Sequence, residues 1–151
     1  MRPVPPAVLA LVKASEGFIA KRNPDPAGYA QIGYGHKMAA GDPLWDATLT
    51  EAQAEILAEA DLSDAAGDLT IEMGPALVAS LTDGQWGALV DFVFNEGIGR
   101  FATSTLFHLI QTGQMGQVAP QFDRWIYAGR PPVVMGGLVK RRAAEKAMWL
   151  S

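Results

Sequence analysis

Glu16 and Asp25 are the residues of this chain best suited to do chemistry. They stand nine positions apart in EGFIAKRNPDPAGYAQIGYGH, residues 16–36, a short stretch punctuated by glycine and proline. Two carboxyls held near one another, one protonated and one ionised, can hydrolyse a sugar acetal with neither metal nor cofactor. Spacing alone does not bring them together. Glu16 closes a helical pattern and Asp25 lies in a turn cluster, so a chain reversal between them must deliver both to one cleft. Taken by itself, a Glu/Asp pair at this interval is more often two unrelated surface acids.

The flanking pattern says which elements must hold the pair. Pro5 and Pro6 suit a helix start, and Ala7, Val8, Leu11, Val12 and Ser15 mark one face until Gly17. Helical periodicity then lapses. Asn23 to Gly28 form a turn cluster, and Tyr29 to Tyr34 read as a strand, which predicts a small hairpin or ribbon. Thr50 with Gln53 and Thr82 with Gln85 have capping-box spacing, so helices are expected to begin at both places. The second carries the apolar stripe Trp86, Leu89, Val90, Val93, Phe94 and is expected to stop near Gly97. Further helices are expected over 104–111, 116–125 and 138–150, the last with Arg141 and Glu145 at i, i+4. One helix, a small β segment and then only helices is an α+β order. The expected fold is one domain over 1–151: a small N-terminal lobe to about residue 48, a linking helix over about 50–66 and a larger helical lobe over about 70–151, with a cleft between the lobes.

Composition narrows the chemistry further. The chain has 151 residues, 49% hydrophobic and 19% charged, enough to bury a core without disulfides or metal. Without cysteine, and with His36 and His108 as its only imidazoles, it is not expected to bind a metal or to need a cofactor. His36 reads as a structural hydrogen-bonding partner and His108 as incidental. Trp45, Trp86, Trp125 and Trp149 are too dispersed for a sugar platform and read as packing residues. Charge is segregated: residues 1–40 hold five Lys/Arg against two acids, 41–99 hold twelve acids and no base, and 100–151 hold seven bases against two acids. That pattern suits an anionic ligand held between basic ends, or else a solvated acidic helix face, but not a nucleic-acid binder.

Three motifs carry a family resemblance. Glu16-Gly17, then Asp25-x-x-Gly28, then Ile32-Gly33-Tyr34-Gly35-His36 resembles the active-site segment of phage-type lysozymes, the endolysin muramidases, in order, identity and spacing. Phe94-Asn95-x-Gly97 with Gly99-x-Phe101 is similar to the cleft helix and loop of that family. Gly137-Leu138-x-x-Arg141-Arg142-x-x-Glu145 is similar to its C-terminal helix. The likeness thus runs along nearly the whole chain.

The resemblance implies a lysozyme-like fold and a muramidase that cuts the β-1,4 bond from N-acetylmuramic acid to N-acetylglucosamine in bacterial peptidoglycan, leading to host lysis. In that reading Glu16 is the general acid and Asp25 the ionised partner, while Gly28, Gly33 and Gly35 shape the backbone. Gln31 stands where the family usually carries a Thr that helps hold the attacking water. Either the longer carboxamide positions water from farther away or another acceptor is used, or the domain binds glycan or a protein without cutting. A lytic transglycosylase using Glu16 alone is a further reading. Asn95, Phe94, Tyr34, Arg141 and Arg142 are the candidate substrate contacts. For Asn95 the competing role is a helix cap, for Phe94 the core, and for Arg141 and Arg142 a solvated face paired with Glu145. The N-terminal stretch has no long apolar run, which reads as neither secretory signal nor membrane span. The expectation is a monomer without stable membrane insertion, made in the host cytoplasm, released through a separate holin-type pore and acting on the wall in the periplasm.

Overall fold

A computed structural model describes residues 1–23 and 29–151. Helix α1 (Pro6–Glu16) starts on the proline pair and ends where Gly17 turns to φ +70°, so Glu16 is its last residue. Three antiparallel strands follow, β1 (Ile19–Asn23), β2 (Tyr29–Gly33) and β3 (His36–Ala39), in spatial order β1-β2-β3. The expected hairpin is therefore a three-stranded sheet. Strands β2 and β3 pair Ala30 with Met38 and Ile32 with His36 across the two-residue turn Tyr34-Gly35. Period-two alternation puts Ala30 and Ile32 on one face, where with Met38 they form a small core beneath Leu44, Trp45 and Leu57. Gln31 lies on the other face.

Helix α2 (Glu51–Met73) begins at Thr50 with both reciprocal bonds of the capping box formed. Its 23 residues span about 34 Å at 1.5 Å per residue, so it runs past residue 66 and joins the sheet to the helical part of the molecule. After the short helix α3 (Pro75–Ser80) comes α4 (Asp83–Glu96), capped by Thr82 and Gln85 and stopped by Gly97 at φ +86°. Every residue of α4 from Trp86 to Val93 is buried, and α1, α2 and α8 (Gly136–Trp149) all pack on it. It is the axle of the main core. Trp86 is fully buried and its indole N–H donates to the Pro3 carbonyl at 3.0 Å. Trp149 is also buried, and Trp125 meets Phe92 edge-on with ring centroids 5.0 Å apart, so both serve packing.

Between α4 and α8 the chain departs from the sequence reading in two places. The segment expected as one helix over 116–125 is split into a 3₁₀ turn at Met115–Gln117 and a short helix α7 (Ala119–Phe122), after α5 (Ile98–Ala102) and α6 (Thr105–Gln111). The expectation of helices alone is overturned by a second hairpin, β4 (Tyr127–Ala128) with β5 (Val133–Val134), whose side chains are exposed.

Helix α8 passes the start of α4 so closely that Gly84 has no room for a side chain: a Cβ there would lie 2.2 Å from the Met148 carbonyl oxygen. Gly84→Ala is expected to destabilise by about 1–3 kcal/mol through forced separation of the helices, lowering Tm by about 3–10 °C. Gly99→Ala, where an added Cβ meets nothing within 4 Å, is expected to leave Tm within about 2 °C by calorimetry.

Candidate active site

Glu16 meets the sheet, α4 and α8 at one point. From its position at the end of α1, its carboxylate accepts from Arg141 Nη1 of α8 at 2.5 Å and keeps 18% of its side-chain surface exposed. On the other side lies the β2–β3 turn. Gly35, at φ +83°, comes so near that a Cβ there would lie 2.8 to 3.0 Å from Glu16 Cδ, Cγ and Oε2. The glycine is thus required twice, by the left-handed backbone and by the carboxyl against it. Glu16 opens onto a pocket of about 280 Å³ shared with Ser15, Asn95, Ala128, Met135 and Arg141. A second depression, of about 240 Å³, adjoins through Gly35 and is lined by His36, Lys37, Asp61, Phe94 and Ile98.

Arg141 is 3% exposed and is fixed from behind by Asp91 of α4. Its Nε donates to Asp91 Oδ2 and its Nη2 to Oδ1, both at 2.8 Å, a two-point bond that sets the plane of the guanidinium and leaves Nη1 aimed at Glu16. Burial works against the charge of Arg141, but the carboxylates of Asp91 and Glu16 outweigh it and hold the guanidinium above its ordinary value. The guanidinium also lies over the Phe94 ring, 5.6 Å from its centroid. Phe94 is half-buried, and one side of it faces the second depression, so it is both core and cleft wall.

The neighbouring Arg142 does different work. It is fully buried, donates to Asn95 Oδ1 at 2.7 Å and to Glu96 Oε1 at 3.3 Å, and lies over the Phe92 ring. It supports the cleft from inside and has no surface for a ligand. Asn95, with its oxygen taken by Arg142, lines the pocket beside Glu16 and has its NH₂ to offer a sugar. Tyr34, 5% exposed between Phe18 and the Lys13 ammonium, has almost nothing to present to a sugar. Gln31 is half-buried on β2 opposite Lys37. Asp25 and Gly28 lie outside the described residues.

The solvated face with an Arg141–Glu145 pair at i, i+4 is not what forms. Arg141 is drawn to Asp91 and Glu16, and it is Arg142, at i, i+3, that approaches Glu145, with Nε 2.9 Å from Oε2 but without hydrogen-bond alignment. Glu145 is fully buried. Burial pushes its carboxyl well above the ordinary value, and contact with Asp91 adds to the effect, so the protonated form is favoured. His36 sits in the structural role expected of it, with Nδ1 2.8 Å from Asp61 Oδ2 on α2, tying the sheet to that helix. Burial raises the Asp61 carboxyl while the imidazole acts in the opposite sense. His108 is exposed.

Sequence reading missed Asp91 and the buried state of Glu145. Asp91 did leave a signal, since it is the one charged residue in the apolar run Leu89–Phe94, and a charge at a core position needs a partner.

With this geometry in hand, comparison with known proteins settles the family. The phage lysozyme family model matches residues 13–145, from before Glu16 to Glu145. The chain belongs to the phage lysozyme family. An endolysin of Acyrthosiphon pisum secondary endosymbiont phage 1 is 32% identical over 149 residues, covering 95% of this chain and 94% of its own. An endolysin of Bacillus phage PZA is 34% identical and covers 96% of this chain, which spans only 54% of that longer protein. Among solved structures, the muramidase domain of SpmX from Asticaccaulis excentricus superposes with a TM-score of 0.86 at 29% identity, covering 100% of this chain and 99% of its own. Membership of this lysozyme family gives the cleft its substrate class, peptidoglycan, and its fold is the α+β lysozyme-like one.

Two outcomes follow from the geometry of this phage lysozyme. Gly35→Ala is expected to push the Glu16 carboxyl off Arg141 and lower lytic activity by about 100-fold, the usual scale for an ångström of misplacement, measured as clearing of a cell-wall suspension. The second concerns pH. The folded state holds a proton on Glu145 that the unfolded chain releases near pH 4.5, so this group's stabilisation is complete below that pH and is lost as pH rises toward its folded-state value. Glu145→Gln keeps the shape and removes the titration. The Tm of Glu145→Gln relative to the parent is expected to increase as pH rises above 4.5, and a constant difference refutes the assignment.

Proposed function

We propose that this chain is a muramidase that hydrolyses the β-1,4 bond between N-acetylmuramic acid and N-acetylglucosamine in peptidoglycan, acting as a monomer on the wall in the periplasm. Glu16 protonates the leaving oxygen, and Asp25 stays ionised to stabilise charge on the sugar or to orient water. Gln31 holds that water in place of the family's Thr. One observation carries the reading: in a phage lysozyme chain, Glu16 is fixed by Arg141 and Gly35 yet still opens onto a pocket beside Asn95.

A second reading is favoured by Gln31 alone. In this reading its carboxamide, longer than a Thr hydroxyl, fills the place of the attacking water, and the domain binds glycan or a protein without cutting.

Mass spectrometry of the muropeptides released from purified peptidoglycan tests both. Hydrolysis gives reducing ends, a lytic transglycosylase gives 1,6-anhydro ends one water lighter, and a binding module gives no product. Glu16→Gln is expected to abolish release and Asp25→Asn to lower it about 100-fold or more with the fold intact. A parent that is inactive but becomes active as Gln31→Thr establishes the second reading instead.

A further inference from the structure

One arginine holds Glu16, and a carboxylate with no evident part in sugar chemistry holds that arginine. We propose that Asp91 is a positioning residue for Glu16, acting through Arg141: it fixes the direction in which Arg141 Nη1 points and neutralises the guanidinium that Glu16 would otherwise face alone. The proposal rests on Glu16 being the general acid.

The geometry separates the two tasks. A guanidinium presents five N–H groups in one rigid plane, and Asp91 takes one edge of it through Nε and Nη2, both at 2.8 Å. Once that edge is pinned, Nη1 cannot rotate away from Glu16 Oε1, 2.5 Å distant. Arg141 and Asp91 are buried at 3% and 0% exposure, so water screens neither partner. An arginine alone at this place would favour the ionised form of the acid, the form that has no proton to donate. An Arg–Asp pair has no net charge, so that pull toward the ionised form is weakened while the N–H still fixes where the carboxyl sits.

Among the described residues no other charge nearby replaces Asp91. From α8, Arg142 is engaged with Asn95 and Glu96, and the carboxyl of Glu145 is pushed well above its ordinary value by burial and by Asp91. From α1, Lys13 is paired with Glu55 of α2. From α4, Glu96 is turned to Arg142 and Arg100. The β2–β3 turn contributes the backbone of Gly35. Asp25 lies outside the described residues.

The test is the pH dependence of kcat and kcat/KM on purified peptidoglycan for the parent, Asp91→Asn, Asp91→Glu and Glu16→Gln, with Tm measured on each. Asp91→Asn keeps the shape and removes the charge. Its alkaline limb, where the acid loses its proton, is expected to move to lower pH by about one unit, with kcat reduced about tenfold and KM little changed. Asp91→Glu keeps the charge and displaces the fork, so it is expected to keep the parent's limb and lose kcat, an outcome readable even if Asp91→Asn does not fold. An Asp91→Asn protein with lowered Tm but an unmoved limb overturns the proposal and leaves Asp91 a structural residue, as does Asp91→Glu with the parent's kcat. In either case an inactive Glu16→Gln keeps the general-acid reading intact, whereas an active Glu16→Gln overturns both.

Discussion

A guanidinium buried where α1, α4 and α8 meet is the constraint on which the rest of this molecule depends. Arg141 cannot be taken out of water without partners, and its partners come from the other two helices: Asp91 in the middle of α4 and Glu16 at the tip of α1. Removing one member of such a set leaves an uncompensated buried charge, typically a loss of about 3–5 kcal/mol. The tip of α1 and the middles of α4 and α8 are therefore tied by the group that holds Glu16. Glu16 is not an acid placed on a finished scaffold. It is one of the hydrogen-bonding partners that the buried guanidinium requires, which is why its position is fixed before any substrate arrives.

Much of this was legible in the chain because the signals were local. Both capping boxes, the Gly97 stop, the end of α1 at Glu16 and the β character of 29–33 depend on residues within a few positions of one another. The small second hairpin was not, since strands of two residues carry no alternation to detect. Nor was the break between Met115–Gln117 and α7, where Pro120 falls inside the stretch read as one helix. The sequence also marked Glu16 and Asn95, which line one pocket, and a hydrogen-bonding place for His36, but not the partner of Arg141. Glu145, four residues on along the same helix, is the local candidate, whereas the true partners stand 50 and 125 residues away. Pairing across such separations is decided by how helices cross, and no spacing rule within one helix contains that information.

The charge segregation along the sequence also acquires a physical reason. Bases from the two ends meet acids from the middle: Arg2 with Asp83, Lys13 with Glu55, His36 with Asp61, Arg141 with Asp91, and Arg142 with Glu96. The acidic helices α2 and α4 both pack on α1, with α2 also meeting the sheet and α4 also meeting α8, so the pattern records which elements come together in space. These pairs differ greatly in weight. Arg2–Asp83, with the acid 87% exposed, contributes at most about 1 kcal/mol, whereas the buried Arg141–Asp91 pair sets which packing is allowed. Since both buried arginines are taken up by this internal pairing, the segregation no longer calls for an anionic ligand between the ends.

The same bookkeeping bears on how a lysozyme can keep an acid ready in a cleft full of charge. Four acids, Glu16, Asp91, Glu96 and Glu145, surround two buried arginines. Were all four ionised, the cluster would hold an excess of two negative charges in a poorly solvated place. A proton on Glu145, favoured by its burial and by the adjacent Asp91, removes half of that excess at a fully buried position. Glu96 is drawn off by the exposed Arg100 one turn along. What remains around Arg141 is one full carboxylate behind it and one partly exposed carboxyl in front, the latter alone open to a ligand. A cluster balanced in this way leaves every buried charge with a partner, while of the four acids it is Glu16 that lines the pocket.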